Sequence, residues 1–376
     1  MMGRIIFADS EHSADMFYAT RFFVPDPYLF VQEPSGTRHV VISALEIDRA
    51  RRVAKVEQVH DLAAVKQRFK DAFPQQEAGE ADLIAFFLKE LAISTLEAPA
   101  DFPLAIADAL RAKNISITAV QGAFWPQRAY KQPDEVEAIR QALEITGHGV
   151  MAGIQMIRAS QIGQDGLLYL AGEILTSERV RGEIDATLAR LGAMPQHTIV
   201  AGGHQGSDPH EAGYGPLYAH TSIILDVFPR IGTSGYYGDM TRTVCRGAPS
   251  ERLAAAWQAV LEAQNLAFQR IKAKASGLAI HQELVELLTQ RGFPTAIGAD
   301  GRQGGFFHGT GHGLGLEIHE APRIGARDHT LDVGHVVTVE PGLYYPDMGG
   351  VRLEDVVLVT TDGCENLTRV PKFFVL

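Results

Sequence analysis

Three histidines at fixed spacing lie in a glycine-rich, apolar segment that runs from residue 308 to residue 320. Neutral imidazole is the commonest metal ligand and an efficient proton carrier. Acidic residues occur in strand-like surroundings upstream, in 223–226 and 238–243, and downstream, in 338–342 and 351–355. Together with the central histidine, these carboxylates predict one metal site. The candidate ligands are Asp226, Asp239, His312, Glu340 and Glu354.

Two of these carboxylates follow apolar runs that are typical of buried strands. Asp226 ends the run 222–225, and Glu340 ends the run 336–339. Burying a bare carboxylate is costly unless a cation or a hydrogen-bond donor compensates it. A further strand is predicted at 351–357, where the two-residue period directs Arg352 and Glu354 to the same face. We expect these two side chains to face one cavity.

Buried ion pairs are the alternative explanation for the same residues. In that case Glu354 pairs with Arg352, and Asp239 pairs with Arg242. Five candidate ligands in succession favour a metal instead. Their oxygen-rich set suits manganese, cobalt, zinc or iron, and several carboxylates around few histidines favour two ions over one.

Other motifs that resemble the histidine segment do not fit. A nucleotide-binding loop requires a strand-loop-helix frame with an acidic residue downstream, or a Gly-Lys-Ser/Thr sequence, and neither is present. The His-Glu-x-x-His motif of single-zinc peptidases is also absent. His204 and His329 are interpreted as ordinary surface or core histidines.

Composition narrows the class of protein. The chain has 376 residues, 46% of them hydrophobic and 21% charged, which predicts a globular protein of two domains. A formal charge of -11 argues against nucleic acid as a partner. No apolar run approaches the ~18 residues of a membrane span and no signal segment is seen, so a cytoplasmic protein is expected. Cys245 and Cys364 are interpreted as ordinary buried or half-buried thiols.

Hydrophobic periodicity predicts the elements that position these residues. Residues 1–126 alternate apolar runs with helical stretches such as 82–91, which indicates a small α/β domain that ends near Pro126. A helix is predicted to begin at Pro133, and further helices are predicted at 251–274 and 280–290. Residues 127–376 are therefore expected to form an α+β domain in which helices cover a curved sheet. The apolar positions of the first helix are Val136, Ile139, Leu143, Val150, Ile154 and Ile157.

The segment 308–320 and the five candidate ligands resemble the proline-specific branch of metallopeptidase family M24, the Xaa-Pro aminopeptidases and Xaa-Pro dipeptidases (prolidases). The resemblance covers essentially all of 127–376, and the first domain resembles the creatinase-like N-terminal domain of that family. It implies a "pita-bread" catalytic domain whose two similar halves enclose a dinuclear centre. It also implies two divalent ions per chain, as manganese, cobalt or zinc, a small Xaa-Pro peptide as substrate, and a homodimer.

The same resemblance implies a role for each site residue. Asp226 would bind one ion, His312 and Glu340 the other, and Asp239 and Glu354 both, with a shared hydroxide as nucleophile. Glu340 would also be the general base, and His319 would stabilise the tetrahedral intermediate. The implied substrate-binding residues are His210, His308, His319 and Arg352, of which Arg352 suits a free C-terminus.

Two features depart from the family pattern. Twelve residues separate Asp226 from Asp239, a longer hairpin than is usual, and we expect the extra residues at its turn. His210 stands at the distance of the upstream histidine in unusual surroundings, with His204 as its competitor. Open alternatives are a metal-dependent small-molecule hydrolase or lyase, a metal-free creatinase-like enzyme and a non-catalytic peptide-binding protein. Aminopeptidase and dipeptidase are not separated by sequence.

Overall fold

A computed structural model describes residues 2–298 and 301–376. The chain forms two compact units, Met1–Arg128 and Ala129–Leu376, which are described separately. The domain boundary at residue 126 stays a prediction. Within the described ranges, no helix combines the length and the apolar character that crossing a membrane requires.

The N-terminal unit is built on one mixed six-stranded sheet. Its strand order is β4-β3-β2-β1-β5-β6, with antiparallel pairing among β1, β2 and β3 and parallel pairing elsewhere. The elements are β1 (Gly3–Ala8), α1 (Ala14–Thr20), β2 (Tyr28–Gln32), β3 (Arg38–Ile42), α2 (Ile47–Val53), β4 (Gln58–Asp61), α3 (Leu62–Ala72), α4 (Glu80–Glu90), β5 (Thr95–Ala98), α5 (Leu104–Ala112) and β6 (Ser116–Ala119).

Helices cover both faces of this sheet. The two-residue period of a strand sends Ile5 and Leu29 to one face, where they pack with α3, α4 and α5. It sends Ile6 and Phe30 to the other face, where they pack with α1 and α2. This three-layer arrangement confirms the predicted small α/β domain.

The C-terminal unit contains short strands and four long helices. Its elements are α6 (Pro133–Ala159), β7 (Gln161–Ile162), β8 (Leu168–Leu170), β9 (Glu173–Ile174), α7 (Ser177–Arg190), β10 (Ala193–Met194), β11 (Ile199–Gly202), β12 (Ser222–Val227), β13 (Arg230–Ile231), β14 (Met240–Cys245), α8 (Glu251–Arg270), α9 (Gly277–Gln290), β15 (Ala296–Ile297), β16 (Gln303–Gly304), β17 (Gly311–Gly313), β18 (Glu320–Ile324), β19 (Val336–Val339), β20 (Gly342–Tyr345), β21 (Gly349–Arg352), β22 (Asp355–Val359) and β23 (Cys364–Asn366).

Two helix pairs, each packed on an antiparallel sheet, make up the two halves of this unit. In the first half α6 and α7 cover the sheet β11-β12-β14 and share a buried core with it. In the second half α8 and α9 cover the sheet β18-β17-β19-β22-β23 around a second core. The prediction of an α+β domain with helices over a sheet is confirmed.

The helices agree closely with the periodic pattern of the sequence. Helix α6 begins at Pro133, a position at which a backbone N–H would have no acceptor within the helix, so proline is tolerated there. All six predicted apolar positions are buried. Helix α8 ends at Arg270, earlier than the predicted residue 274. Helix α9 begins earlier than predicted, because the Ser276 side chain accepts the N–H of Ala279 and caps the helix there.

The predicted strand 351–357 is wrong as a continuous element. Strand β21 ends at Arg352 and pairs with β20, whereas β22 begins at Asp355 and pairs with β19. The chain changes sheets between these two residues, and the backbone N–H of Glu354 donates to the carbonyl of Thr241. This exchange of partners brings Glu354 from the second half against the first.

Candidate active site

One cavity of about 1090 Å³ contains the predicted site residues of the C-terminal unit. Asp226 lies in β12, Asp239 directly before β14, and His312 in β17. Glu340 follows β19, and Glu354 lies between β21 and β22. Both halves therefore contribute carboxylates to the same cavity wall. The other predicted residues that line it are His210, His308, His319 and Arg352.

The carboxylates lie close together, with Asp239 and Glu354 buried and Asp226 and Glu340 half-buried. Potential ligand atoms of Asp239, His312 and Glu354 all lie within 4.8 Å of one another. The Nε2 atom of His312 is 3.3 Å from Oε1 of Glu340 and 3.7 Å from Oδ2 of Asp239. Crowded anions in a dry environment are costly without a compensating cation. The donor set therefore fits a divalent metal centre.

Titration behaviour reflects this crowding. Burial raises the pKa of Asp239 well above its ordinary value, and the charges of Glu354 and Asp226 add to the effect. Burial, with the charges of Glu340 and Asp226, likewise raises the pKa of Glu354. Burial also raises the pKa of Glu340 to about 7, against the opposing charge of Arg352. Each carboxyl is thus disfavoured as an anion until a cation arrives.

His312 is prepared to act as a ligand. Burial lowers its pKa to about 3, so the ring is neutral near neutral pH. Its Nδ1 lies 3.1 Å from the carbonyl of Gly313, which places the proton on Nδ1. The lone pair of Nε2 then points towards the carboxylates of Asp239 and Glu340. A metal ion between these atoms would satisfy all three.

Arg352 does not pair with Glu354, which the sequence offered as an alternative to a metal site. Its Nη2 lies 2.7 Å from Oδ2 of Asp226, and its Nη1 donates to the hydroxyl of Tyr344 at 2.8 Å. Arg242, the other considered partner, binds Asp355 at 2.9 Å and leaves Asp239 for the cavity. Both alternative ion pairs, Glu354 with Arg352 and Asp239 with Arg242, are therefore replaced by other partners.

A chain of hydrogen bonds continues from Arg352 to His308. Because the guanidinium only donates, the Tyr344 hydroxyl accepts from it and donates in turn to Nε2 of His308 at 2.9 Å. The Nδ1–H of His308 then donates to the carbonyl of Gly309 at 2.8 Å. Burial, with the Arg352 charge, lowers the pKa of His308 to about 3. His308 is thus a neutral ring of defined tautomer.

The remaining predicted histidines occupy different positions. His319 is exposed to the cavity, and its ring lies 4.4 Å from that of His312 at nearly a right angle. His210 lines the cavity, whereas its competitor His204 lies in the 3₁₀ turn Gly203–Ser207 outside the cavity lining. Placement therefore favours His210 as the upstream histidine. The individual roles of these residues stay predictions.

The long segment between Asp226 and Asp239 extends away from the paired strands. Val227 pairs with Met240 and Asp226 with Thr241, so the register of β12 and β14 is regular up to the ligands. Beyond this point β13 forms its own small pairing with β10. The additional residues lie in the connection, and the two aspartates remain next to regular strand backbone.

Comparison with known proteins places this geometry in a family. Residues 137–361 match metallopeptidase family M24. The chain belongs to family M24. Membership implies divalent metal ions, in agreement with the carboxylate and imidazole donors of the cavity.

Individual relatives within M24 carry related names. The chain is 31% identical over 248 residues to an Xaa-Pro dipeptidase of Pyrococcus furiosus, covering 65% of this chain and 64% of that protein. It is 38% identical over 179 residues to the uncharacterized peptidase YqhT of Bacillus subtilis, covering 47% of this chain and 48% of that protein. These matches span less than two thirds of the relatives' own length.

Several solved structures share the fold over the whole chain. An X-Pro aminopeptidase of Thermotoga maritima has a TM-score of 0.82 at 24% identity, covering 100% of this chain and 98% of that one. An Xaa-Pro dipeptidase of Bacillus anthracis has a TM-score of 0.82 at 25% identity, covering 100% and 95%. The expected pita-bread architecture with a smaller N-terminal domain is confirmed.

Three cavity residues or neighbours were missed in the sequence. Thr241 places its hydroxyl 2.9 Å from Asp226 and 2.8 Å from Glu354. It stands two residues after Asp239, so the strand period could have revealed it. Arg323 lines the cavity opposite His312 in the β17–β18 pairing. Tyr344 is recognisable only from its contacts with Arg352 and His308.

Proposed function

We propose that this M24 protein is a dinuclear-metal-dependent exopeptidase that hydrolyses the Xaa-Pro bond, either at the N-terminus of peptides or in dipeptides. The observation that carries the proposal is the convergence of four carboxylates and a neutral imidazole on one cavity. Similarity to the Xaa-Pro dipeptidase of Pyrococcus furiosus supports the choice of bond.

Two divalent ions would be held by residues of both halves. Asp226 would bind one ion, and His312 with Glu340 the other. Asp239 and Glu354 would bind both, which their proximity to His312 supports. Manganese, cobalt and zinc all suit these donors. When bound, such ions polarise a carbonyl and acidify water, which makes peptide hydrolysis accessible near neutral pH.

Glu340 would transfer the proton, and His319 would stabilise the negative charge that develops on the carbonyl oxygen. Glu340 would accept the proton of the attacking water and pass it to the leaving proline nitrogen. His319 is exposed to the cavity but partly enclosed by its walls, and this partial desolvation, with the Arg323 charge, lowers its pKa and favours the neutral ring. Its N–H would donate to the carbonyl oxygen as negative charge develops there.

Substrate binding would involve the histidines around the metal site and the apolar cavity wall. Phe228, Phe307 and Ile318 line the cavity and offer apolar surface to a proline ring. His308 would contact the backbone of the residue after the scissile bond, and His210 would be a further substrate-binding residue. We assign to Arg352 the orientation of Asp226 in addition to the predicted binding of a C-terminal carboxylate. A homodimer and a cytoplasmic location stay predictions.

Hydrolysis of a small peptide panel tests this function. Metal-stripped protein reloaded with manganese, cobalt or zinc is offered Ala-Pro, Ala-Pro-Ala and Ala-Ala-Ala. We expect metal-dependent cleavage of the Ala-Pro bond, and no cleavage by Glu340→Gln, which lacks the base. Cleavage of Ala-Pro alone identifies a dipeptidase, and cleavage of Ala-Pro-Ala identifies an aminopeptidase. Failure to cleave any proline peptide with any metal would contradict the proposal.

A further inference from the structure

Glu320 ends the histidine segment and lines the cavity, yet the roles above leave it without a function. We propose that Glu320, anchored by Lys131, is a positioning residue that holds the loop carrying His319. This inference rests on the proposed function, because His319 is assigned there to the reacting carbonyl.

A buried ion pair provides the anchor. Nζ of Lys131 lies 2.6 Å from Oε2 of Glu320, and the two side chains are 2% and 6% exposed. Lys131 precedes α6, and its backbone N–H donates to the carbonyl of Gly334 in the second half at 2.8 Å. A buried charge without its partner is strongly disfavoured, so each residue constrains the other. Glu320 is thereby held in one orientation.

The other oxygen of the same carboxylate closes the loop. Oε1 of Glu320 accepts the backbone N–H of Leu316 at 3.0 Å and that of Glu317 at 3.2 Å. The loop is so tight that a Cβ atom on Gly315 would lie 2.6 Å from Oε2 of Glu320. Glycine at this position of the motif is therefore a consequence of the carboxylate packed against it.

His319 depends on this loop for its position. Among the described residues, the His319 ring has no hydrogen-bond partner and contacts only the ring of His312 among aromatic groups. A side chain without its own hydrogen bonds takes its place from the backbone that carries it. That backbone is closed on one side by Leu316 and Glu317 and on the other by the Glu320 pairing with Gly313.

The connection between Asp226 and Asp239 supports the same loop. The backbone N–H of Tyr237 donates to the carbonyl of Gly315 at 2.9 Å. The neighbouring Tyr236 hydroxyl donates to Glu135 in α6. This connection thus links the loop to the start of α6, the helix that Lys131 precedes.

The test compares Glu320→Gln with Glu317→Gln, a matched control that removes an exposed carboxylate from the same loop. Hydrogen exchange measured by mass spectrometry should increase in residues 314–319 of the manganese-loaded Glu320→Gln variant and remain unchanged in the control. With Ala-Pro as substrate, kcat should fall about ten- to hundredfold, as expected when an oriented group is misplaced. KM should change by less than about twofold, because binding is retained.

A second background separates positioning of His319 from a general loss of structure. In the His319→Ala protein the additional Glu320→Gln substitution should lower kcat by less than about twofold, since the two residues act as one unit. The same factor in both backgrounds would overturn the proposal. Unchanged hydrogen exchange in residues 314–319 would also overturn the proposal. This measurement tests the proposal even if the protein cleaves no proline peptide, a result that would refute only the proposed function.

The charge-free double variant Lys131→Met/Glu320→Gln keeps the test informative where Glu320→Gln does not fold. It retains a side-chain carbonyl for the two loop N–H groups and leaves no buried ion without a partner. We expect it to fold, with faster hydrogen exchange in residues 314–319 and a lower kcat than the wild type. In the His319→Ala background the same double substitution should not lower kcat. Wild-type exchange and wild-type kcat in this variant would overturn the proposal.

Discussion

The guanidinium of Arg352 lies 2.7 Å from the carboxylate of Asp226, the residue proposed to bind the first ion. Asp226 also receives the Thr241 hydroxyl at 2.9 Å, so it is fixed from two sides. Fixed ligands are characteristic of metal sites, in which neighbouring hydrogen bonds orient the groups that bind the ion. We therefore propose that Arg352 orients a metal ligand in addition to binding substrate.

This contact makes a specific prediction for Arg352→Ala. Loss of the guanidinium frees Asp226, so kcat/KM should fall about ten- to hundredfold for Ala-Pro-Ala, and further for Ala-Pro, whose C-terminal carboxylate would also lose its partner. Steady-state kinetics on both peptides measure the two factors. An unchanged kcat/KM for Ala-Pro-Ala, with the loss on Ala-Pro confined to KM, would show instead that Arg352 only binds the free C-terminal carboxylate.

Glu340 should make the metal-free protein less stable as the pH rises. Burial raises its pKa to about 7 from 4.5. Between these values the folded carboxyl holds a proton that the unfolded one has released, so the free energy of unfolding falls as the pH rises. Glu340→Gln cannot bind this proton, so its free energy of unfolding should depend less on pH. Urea unfolding of both stripped proteins across the interval measures the difference, and a difference independent of pH would refute it.

Gln264 should stabilise the two chain segments that bear Glu340 and Glu354. Its buried amide donates to the carbonyl of Val339 at 2.8 Å and to that of Leu353 at 3.1 Å, the residues directly before the two glutamates. Gln264→Met removes both donors and should cost about 1–3 kcal/mol for each buried carbonyl left unpaired. It should also weaken manganese binding, measured by calorimetry.

A matched control for this substitution lies on the same helix. Gln258 is exposed on α8, so Gln258→Met should change the free energy of unfolding by less than about 0.5 kcal/mol. Equal stability and equal manganese affinity for the two variants would show that the Gln264 contacts do not hold the ligands.

The two cysteines should be chemically inert in the folded protein. Both are free, with Cys245 buried and Cys364 half-buried, which confirms their interpretation as ordinary thiols. Burial raises the pKa of each to about 11, so almost no thiolate is present near neutral pH. Titration with a thiol reagent should be slow in the native state and complete after unfolding. Rapid modification accompanied by loss of peptidase activity would contradict this.

Local sequence patterns predicted the helices, but not the pairing of strands that are far apart in the chain. The periodic apolar positions of α6 identify one long amphipathic helix, and its start at Pro133 follows from local chemistry. The break between Arg352 and Asp355 was not predicted, because it arises from an exchange of strand partners far apart in the chain. The partner of Arg352 was missed for the same reason.

Residues that act through tertiary contacts could not be predicted from the sequence either. Gln264 binds two backbone carbonyls more than seventy positions away, and a glutamine in a helix carries no signal of this. Thr241 differs, since the strand period places it on the face of Asp239. The ligand set itself could be proposed because carboxylates after buried strands are unusual without a cation.

The most direct test of the dinuclear centre is a manganese titration of the stripped protein, with bound metal and Ala-Pro hydrolysis measured on the same samples. We predict that binding saturates at two ions per chain and that hydrolysis is seen only as the metal binds. Glu354→Gln, which removes the ligand that both ions are proposed to share, should bind less metal and lose activity in parallel. Full hydrolysis by the stripped protein, or full metal binding and activity in Glu354→Gln, would contradict the dinuclear centre.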